Sequence, residues 1–87
     1  MKREELLKTA AKIVKGARQE HYGTPEDNFS RIAALWQVYL DRPVKANDVA
    51  VMMVLMKVAR LMSDPKHDDS WLDIAGYAAC GSEIMNG

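Results

Sequence analysis

Apolar residues recur along this chain with the period of about 3.6 residues that is typical of amphipathic helices. The pattern predicts four helices, over residues 2–19, 25–40, 48–62 and 69–85. No segment shows the alternation of a β-hairpin or the layout of a βαβ unit. The short connections favour antiparallel packing of neighbouring helices. We therefore expect an all-α fold, a four-helix arrangement of mostly antiparallel neighbours, in which residues 1–87 form a single domain.

The breaks between these helices follow from local chemistry. Gly23 interrupts the first helical pattern, Thr24 is a good N-cap, and Pro25 suits the first position of a helix. Pro43 ends the second helix, because proline cannot continue a helix and restricts the residue before it. Asn47 is the expected N-cap of the third helix.

The apolar positions also predict which sides of the helices are buried. In the first helix the expected buried residues are Leu6, Leu7, Ala10, Ile13, Val14 and Ala17. In the second they are Phe29, Ile32, Ala33, Trp36, Tyr39 and Leu40. In the fourth they are Trp71, Ile74, Ala75 and Ala78. The third helix is apolar almost all round, which predicts that it is covered on several sides. Because the third helix and its end are rich in methionine, a residue that adapts to irregular surfaces, it is also expected to form a subunit contact.

Composition narrows the class of protein. The 87 residues carry no net charge and contain one cysteine, so no intramolecular disulfide can form. The N-terminus lacks the apolar run of a signal peptide, and the central apolar stretch is too short to span a bilayer. We therefore expect a soluble protein in the bacterial cytoplasm. A core this small favours a homo-oligomer, a dimer or higher, because association buries additional apolar area.

Two charged pairs stand out against this apolar background. Lys57 and Arg60 project from the same side of the third helix, and Asp69 and Asp73 share a face of the fourth. Antiparallel packing of these helices would bring the two pairs together. One interpretation is a buried ion-pair network that holds two helices. The other is a phosphate or nucleotide site in which Arg60 binds oxygens bidentately and the aspartates hold a divalent cation.

The turn EHYGTPEDNF supplies further candidates for ligand contact. Acidic residues and a proline at the start of the second helix disfavour a phosphate bound directly at its N-terminus. Tyr22 and Asn28 are not needed for capping, and they are the candidate ligand contacts in this turn. Tyr77, on the same stripe as Asp73, is expected to complete the pocket.

A resemblance is carried by three ordered segments: EHYGTPEDNFSRIAALWQVYL, DVAVMMVLMKVARL and DDSWLDIAGYAAC. Together they resemble a family of small phage and prophage proteins that carries a domain of unknown function. More remotely, the Tyr-Gly turn, the Lys-x-x-Arg-Leu helix and the Asp-x-x-x-Asp-x-x-x-Tyr helix look like phage nucleotide-modification-associated domains. The all-helical layout with inward acids is also similar to the MazG-like nucleoside triphosphate pyrophosphohydrolases.

The MazG-like similarity implies a magnesium-dependent enzyme, but this chain departs from the pattern of that family. MazG-like enzymes bind magnesium with an ExxE pair on one helix and an ExxD pair on the next. Here the second and third helices carry no ExxE pair, which leaves only Asp69 and Asp73 as ligands for Mg²⁺. Whether the protein catalyses a reaction therefore stays open at the level of sequence.

Two functions are expected from these observations. The first is binding of a nucleotide or other phosphorylated metabolite, with Lys57, Arg60, Tyr22, Asn28 and Tyr77 as ligand contacts and Asp69 and Asp73 as metal ligands. The alternative is a non-enzymatic helical oligomer that acts as a protein-interaction module. The neutral net charge and the absence of a recognisable motif argue against nucleic-acid binding.

Overall fold

The structure, a computed structural model, describes residues 1–16 and 23–87, which form four α-helices. They are α1 (Arg3–Lys15), α2 (Pro25–Leu40), α3 (Ala46–Ser63) and α4 (Asp68–Asn86). No strand occurs in this part of the chain. The predicted all-α, four-helix fold is confirmed.

The last helix, α4, is the centre of the arrangement, because α1, α2 and α3 all pack against it. The helix α3 also packs against α2. Only residues 41–45 join α2 to α3, and residues 64–67 join α3 to α4, and connections this short favour an antiparallel arrangement within each of these two pairs. The molecule measures 39 × 30 × 22 Å. Its short dimension is about the thickness of two helices, each about 10–12 Å across.

Local sequence signals place α2 at the predicted residues. The Oγ1 atom of Thr24 accepts a hydrogen bond from the N–H of Asp27 at 3.2 Å, as expected for an N-cap.

The first helix is shorter than the predicted range of residues 2–19. It begins at Arg3 and ends at Lys15, because Gly16 leaves the helical conformation and caps the helix. Residues 17–19 of that prediction lie outside the described part of the chain.

The predicted N-cap of the third helix was wrong. Helix α3 begins at Ala46, so its cap is Lys45 rather than Asn47. The Asp48 carboxylate accepts a hydrogen bond from the N–H of Lys45 at 2.9 Å, which stabilises the earlier start. Helix α4 begins one residue earlier than predicted, after a cap formed by the ring of His67.

The core is small and lies where α2, α3 and α4 meet. Its buried members are Phe29, Ala33, Val49, Ala50 and Tyr77. The rings of Phe29 and Tyr77 are 6.3 Å apart, centroid to centroid, and tilted by 51°. Such a tilted aromatic contact adds to the apolar burial.

Several predicted core residues are not buried within this chain. Tyr39 is 90% exposed, and Leu7, Leu40 and Trp71 are exposed as well. The indole N–H of Trp71 donates to the carbonyl oxygen of Pro65 at 2.9 Å, so this side chain braces the connection before α4. The expectation that the third helix is covered on several sides was also wrong, because α2 and α4 cover one face of α3 and leave the opposite face open.

Candidate functional site

A pocket lies where α1 and the start of α2 meet α4. Its wall is mostly apolar, and α4 contributes the largest share. The lining residues within the described part of the chain are Ala10, Ile13, Val14, Gly23, Pro25, Asn28, Phe29, Leu72, Asp73, Gly76, Tyr77 and Cys80. Such a wall, apolar with a few polar groups, is the usual composition of a small-molecule site.

One ion pair borders this pocket. The Nζ atom of Lys57, on α3, lies 2.9 Å from the Oδ2 atom of Asp73, on α4. The Lys57 side chain is 12% exposed and that of Asp73 is 27% exposed. Antiparallel packing of α3 and α4 therefore does bring a cation of one predicted pair to an acid of the other. Because Asp73 lines the pocket, the ion pair is not sealed from it.

The other two members of the predicted charge cluster are not brought into this arrangement. Arg60 and Asp69 are both exposed. Within residues 1–16 and 23–87, neither side chain forms an ion pair. Arg60 lies one turn after Lys57 on α3, and its side chain is exposed to solvent.

Two of the three predicted polar contacts from outside the charge cluster line the pocket. Asn28, in the first turn of α2, and Tyr77, on α4, contribute to its wall together with Asp73. Tyr22 lies outside the described residues. Asn28 is half-buried and Tyr77 is buried, so both are held by the packing of the helices around them.

The predicted magnesium ligands do not by themselves form a metal centre. In the described part of the chain, no three His, Cys, Asp or Glu side chains come together in a group that could hold a metal ion. The Asp73 carboxylate already faces the ammonium group of Lys57, which would repel a cation beside it. Magnesium usually keeps several waters and binds through one or two carboxylates plus substrate phosphates. Within the described residues, Asp69 and Asp73 therefore do not make up a complete magnesium site by themselves, and magnesium binding stays a prediction.

The contribution of α1 to the pocket was not apparent from the sequence motifs. Ala10, Ile13 and Val14 belong to the apolar stripe of α1 and form part of the pocket wall. The stripe itself was visible as a 3.6-residue pattern. Its role as a wall depends on how α1 crosses α4, which periodicity does not specify.

Taken together, the fold and the pocket define a small all-α protein with an interhelical cavity bordered by a lysine–aspartate pair. The chain belongs to the DUF6378 family, a domain of unknown function, which it matches over residues 5–85. No solved structure matches the chain. No helix in residues 1–16 or 23–87 has the length and apolarity needed to cross a membrane.

Two phage proteins are similar to this chain. It is 42% identical over 81 residues to the Gene 55 protein of Mycobacterium phage D29, a match that covers 93% of this chain and 54% of the relative. It is 48% identical over 75 residues to the Gene 55 protein of Mycobacterium phage L5, covering 84% of this chain and 47% of the relative. The chain thus spans about half the length of these relatives. The predicted resemblance to a phage protein family is confirmed, whereas the cytoplasmic location stays a prediction.

Proposed function

We propose that the pocket between α1, α2 and α4 binds a nucleotide or other phosphorylated metabolite. The observation that carries the proposal is the meeting of Asn28, Asp73 and Tyr77 in one apolar pocket, beside an ion pair formed by Lys57. An apolar cavity with a few convergent polar groups is the arrangement that recognises a small molecule with an apolar body and specific hydrogen-bonding edges.

The chemistry of the pocket wall suggests where the base and the phosphates of a nucleotide would lie. The base would lie in the apolar part of the pocket, beside the rings of Phe29 and Tyr77. The amide of Asn28 has both a donor and an acceptor for the edge of a base, and the Asp73 carboxylate accepts hydrogen bonds. Lys57 compensates the charge of Asp73, so a neutral donor can approach that carboxylate without losing the ion pair.

The phosphates would lie toward α3. Arg60 is exposed, and its guanidinium is suited to bidentate contact with phosphate oxygens. Lys57 is one turn away and contributes positive charge on the same side of the helix. Magnesium would enter bound to the phosphates of the ligand rather than as an ion held by the protein alone, because Asp73 is paired with Lys57 and Asp69 is exposed. The proposal is first that the protein binds such a ligand. Hydrolysis of the ligand to release pyrophosphate, as in the MazG-like enzymes, is a second and separate part of the proposal.

A thermal-shift panel tests the proposal. Nucleoside mono-, di- and triphosphates are added to the protein, each with and without magnesium. A ligand that binds the folded state raises the melting temperature, and the shift grows with the logarithm of the ratio of ligand concentration to Kd once the ligand is in excess. We expect at least one nucleotide to raise it, and Asp73→Asn to reduce that shift. Glu83→Gln, which removes an exposed carboxylate outside the pocket on the same helix, is the matched control.

Pyrophosphohydrolysis is tested on the same samples by measuring pyrophosphate release. Turnover should require magnesium and be abolished in Asp73→Asn while cooperative unfolding is retained. Turnover that continues in the presence of a chelator would contradict the magnesium-dependent mechanism. Binding without turnover would support a ligand-binding role and contradict the proposed pyrophosphohydrolysis.

The exposed apolar face of α3 favours a second candidate function. In this alternative the protein is a non-enzymatic helical oligomer that acts as a protein-interaction module. Lys57 then serves only to hold α3 against α4 through Asp73. This candidate predicts no change in melting temperature with any nucleotide, with or without magnesium. A panel in which no nucleotide shifts the wild-type protein would favour it over ligand binding.

A further inference from the structure

One face of α3 carries an apolar stripe that is exposed and is not packed against any other described helix. Val51, Leu55, Val58 and Met62 follow one another at intervals of four, three and four residues. Their exposed fractions range from 40% for Val58 to 82% for Met62. On a helix this spacing places all four side chains in one narrow band, as in the seam of a coiled coil.

The opposite face of α3 is the one that packs inside the chain. Val49 and Ala50 are buried, and Met53, Val54 and Lys57 are partly buried. The helix therefore has two apolar faces, of which only one packs against other helices in the described part of the chain. Met52, Met56 and Ala59 extend the exposed face beside the stripe. A contiguous exposed apolar surface of this kind usually marks an interaction site.

The surface area of the chain is larger than the average for a folded monomer of its mass. A folded monomer of 9.8 kDa is expected to expose about 5,200 Å². This chain exposes 6518 Å², which is about 1,300 Å² more than that expectation. A standard protein interface buries about 800 Å² on each partner. The excess is therefore large enough to supply one side of a stable dimer.

We propose that the stripe on α3 binds the same stripe of a second copy of this chain, with the two helices antiparallel about a two-fold axis. In such an isologous contact each copy presents the same patch. Val51 of one copy then lies opposite Met62 of the other, and Leu55 lies opposite Val58. Because the four residues are all apolar, the stripe is complementary to itself in this alignment.

The charges at the two ends of the stripe favour the antiparallel alignment over the parallel one. Lys45 and Asp48 lie before the stripe, and Asp64 and Lys66 lie beyond the end of α3. All four are exposed. The antiparallel alignment places the end that carries Lys45 and Asp48 beside the end that carries Asp64 and Lys66, so that opposite charges can face each other at both ends. The parallel alignment would bring like charges together, which is unfavourable.

Light scattering coupled to size-exclusion chromatography tests the dimer with the protein as it is. We expect a mass of about twice 9.8 kDa for the wild type, and about 9.8 kDa for Leu55→Lys. Leu7→Lys is the matched control, because Leu7 is 62% exposed on α1 and Leu55 is 60% exposed on α3. The control should keep the dimer mass. Circular dichroism should show retained helix content in both variants.

The proposal is overturned by a wild type that is monomeric at every concentration at which it stays in solution, or by a single species of any mass other than the dimer. It is also overturned if Leu55→Lys keeps the dimer mass. If Leu55→Lys fails to fold, Val58→Lys takes its place with the same expected loss of the dimer. None of these outcomes depends on a ligand, so they are separate from the nucleotide test.

Cross-linking tests the direction of the two helices. Chains carrying Val51→Cys and chains carrying Met62→Cys, both with Cys80→Ala, are mixed and oxidised. The antiparallel arrangement predicts disulfides between the two different chains and few between identical ones. A majority of disulfides between identical chains would overturn the antiparallel arrangement.

Discussion

The ammonium group of Lys57 and the carboxylate of Asp73 lie 2.9 Å apart, and they join the packing of α3 on α4 to the wall of the pocket. Both side chains are largely withdrawn from solvent, so water screens their attraction less than it would at an exposed site. A ligand that hydrogen-bonds to Asp73 must accommodate Lys57 as well. Stability and binding are therefore expected to respond together to changes in this pair.

A double-mutant cycle on this pair should give a measurable coupling energy. Lys57→Met leaves Asp73 partly buried without its partner, and Asp73→Asn leaves Lys57 in the same condition. We expect each single variant to lower the free energy of unfolding by about 1–3 kcal/mol. The double variant should lose less than the two single losses combined, with a coupling energy of about 1–2 kcal/mol. Urea denaturation measures all four proteins.

Lys66→Met and Glu83→Gln supply the control cycle for this measurement. Lys66 precedes α4 and Glu83 lies near its far end, so the two side chains are at opposite ends of the helix. Distant sites of this kind usually combine additively to within about 0.5 kcal/mol. Additive losses in the Lys57 and Asp73 cycle as well would mean that the 2.9 Å contact contributes no interaction energy.

The cap of α4 is a second testable feature. The Nδ1 atom of His67 accepts a hydrogen bond from the N–H of Ser70 at 3.2 Å, and the Oγ atom of the fully buried Ser70 lies 2.7 Å from the same nitrogen. We expect His67→Ala to lower the free energy of unfolding by about 1 kcal/mol, as for the loss of other N-caps. His67→Asn, which keeps an acceptor at this position, should recover most of the loss. Equal stability of the alanine variant and the wild type would contradict the role of the ring as a cap.

Two glycines inside α4 should respond differently to the same substitution. A Cβ atom at Gly76 would lie 3.9 Å from the Cγ1 atom of Val14, an ordinary contact. At Gly81 it would lie 3.1 Å from the Cβ atom of Ala50, because α3 and α4 approach closely there. Alanine is favoured over glycine in a helix interior by about 1 kcal/mol. Gly76→Ala should therefore raise the melting temperature, while Gly81→Ala should not. A similar gain in both variants would show that α3 and α4 can move apart at no cost.

The aromatic residues of α2 differ sharply in burial, and truncation should reveal it. Phe29 is buried against Tyr77, whereas Tyr39 is almost fully exposed in the single chain. We expect Phe29→Ala to cost about 3–5 kcal/mol, a large part of the stability of a domain this size. Tyr39→Ala should change stability by no more than about 0.5 kcal/mol. Thermal and chemical denaturation give both values, and a loss at Tyr39 as large as at Phe29 would mean that an assembly buries Tyr39.

The sequence by itself determined that the chain is all-α and where most of the helices lie. The boundaries of α2 were predicted to the residue, because Thr24, Pro25 and Pro43 act through neighbours in the chain. Where the cap is unusual, local chemistry was harder to interpret. Helix α3 begins at Ala46, where the Asp48 side chain stabilises the first turn, so its N-cap is Lys45 and not the predicted Asn47. Helix α4 is capped by His67. In these cases the side chain that satisfies the backbone is not one of the common N-cap residues.

Only the tertiary structure decided which apolar side of α3 is buried and which partner Lys57 takes. A helix that is apolar almost all round has no preferred face in its sequence pattern, so Val49 and Leu55 are equivalent until α2 and α4 pack against one side. Spacing along the chain likewise made Asp69 and Asp73 equal candidates. The packing of α3 on α4 brings Asp73 to Lys57 and leaves Asp69 in solvent, because ion pairs depend on distances of a few ångströms between helices.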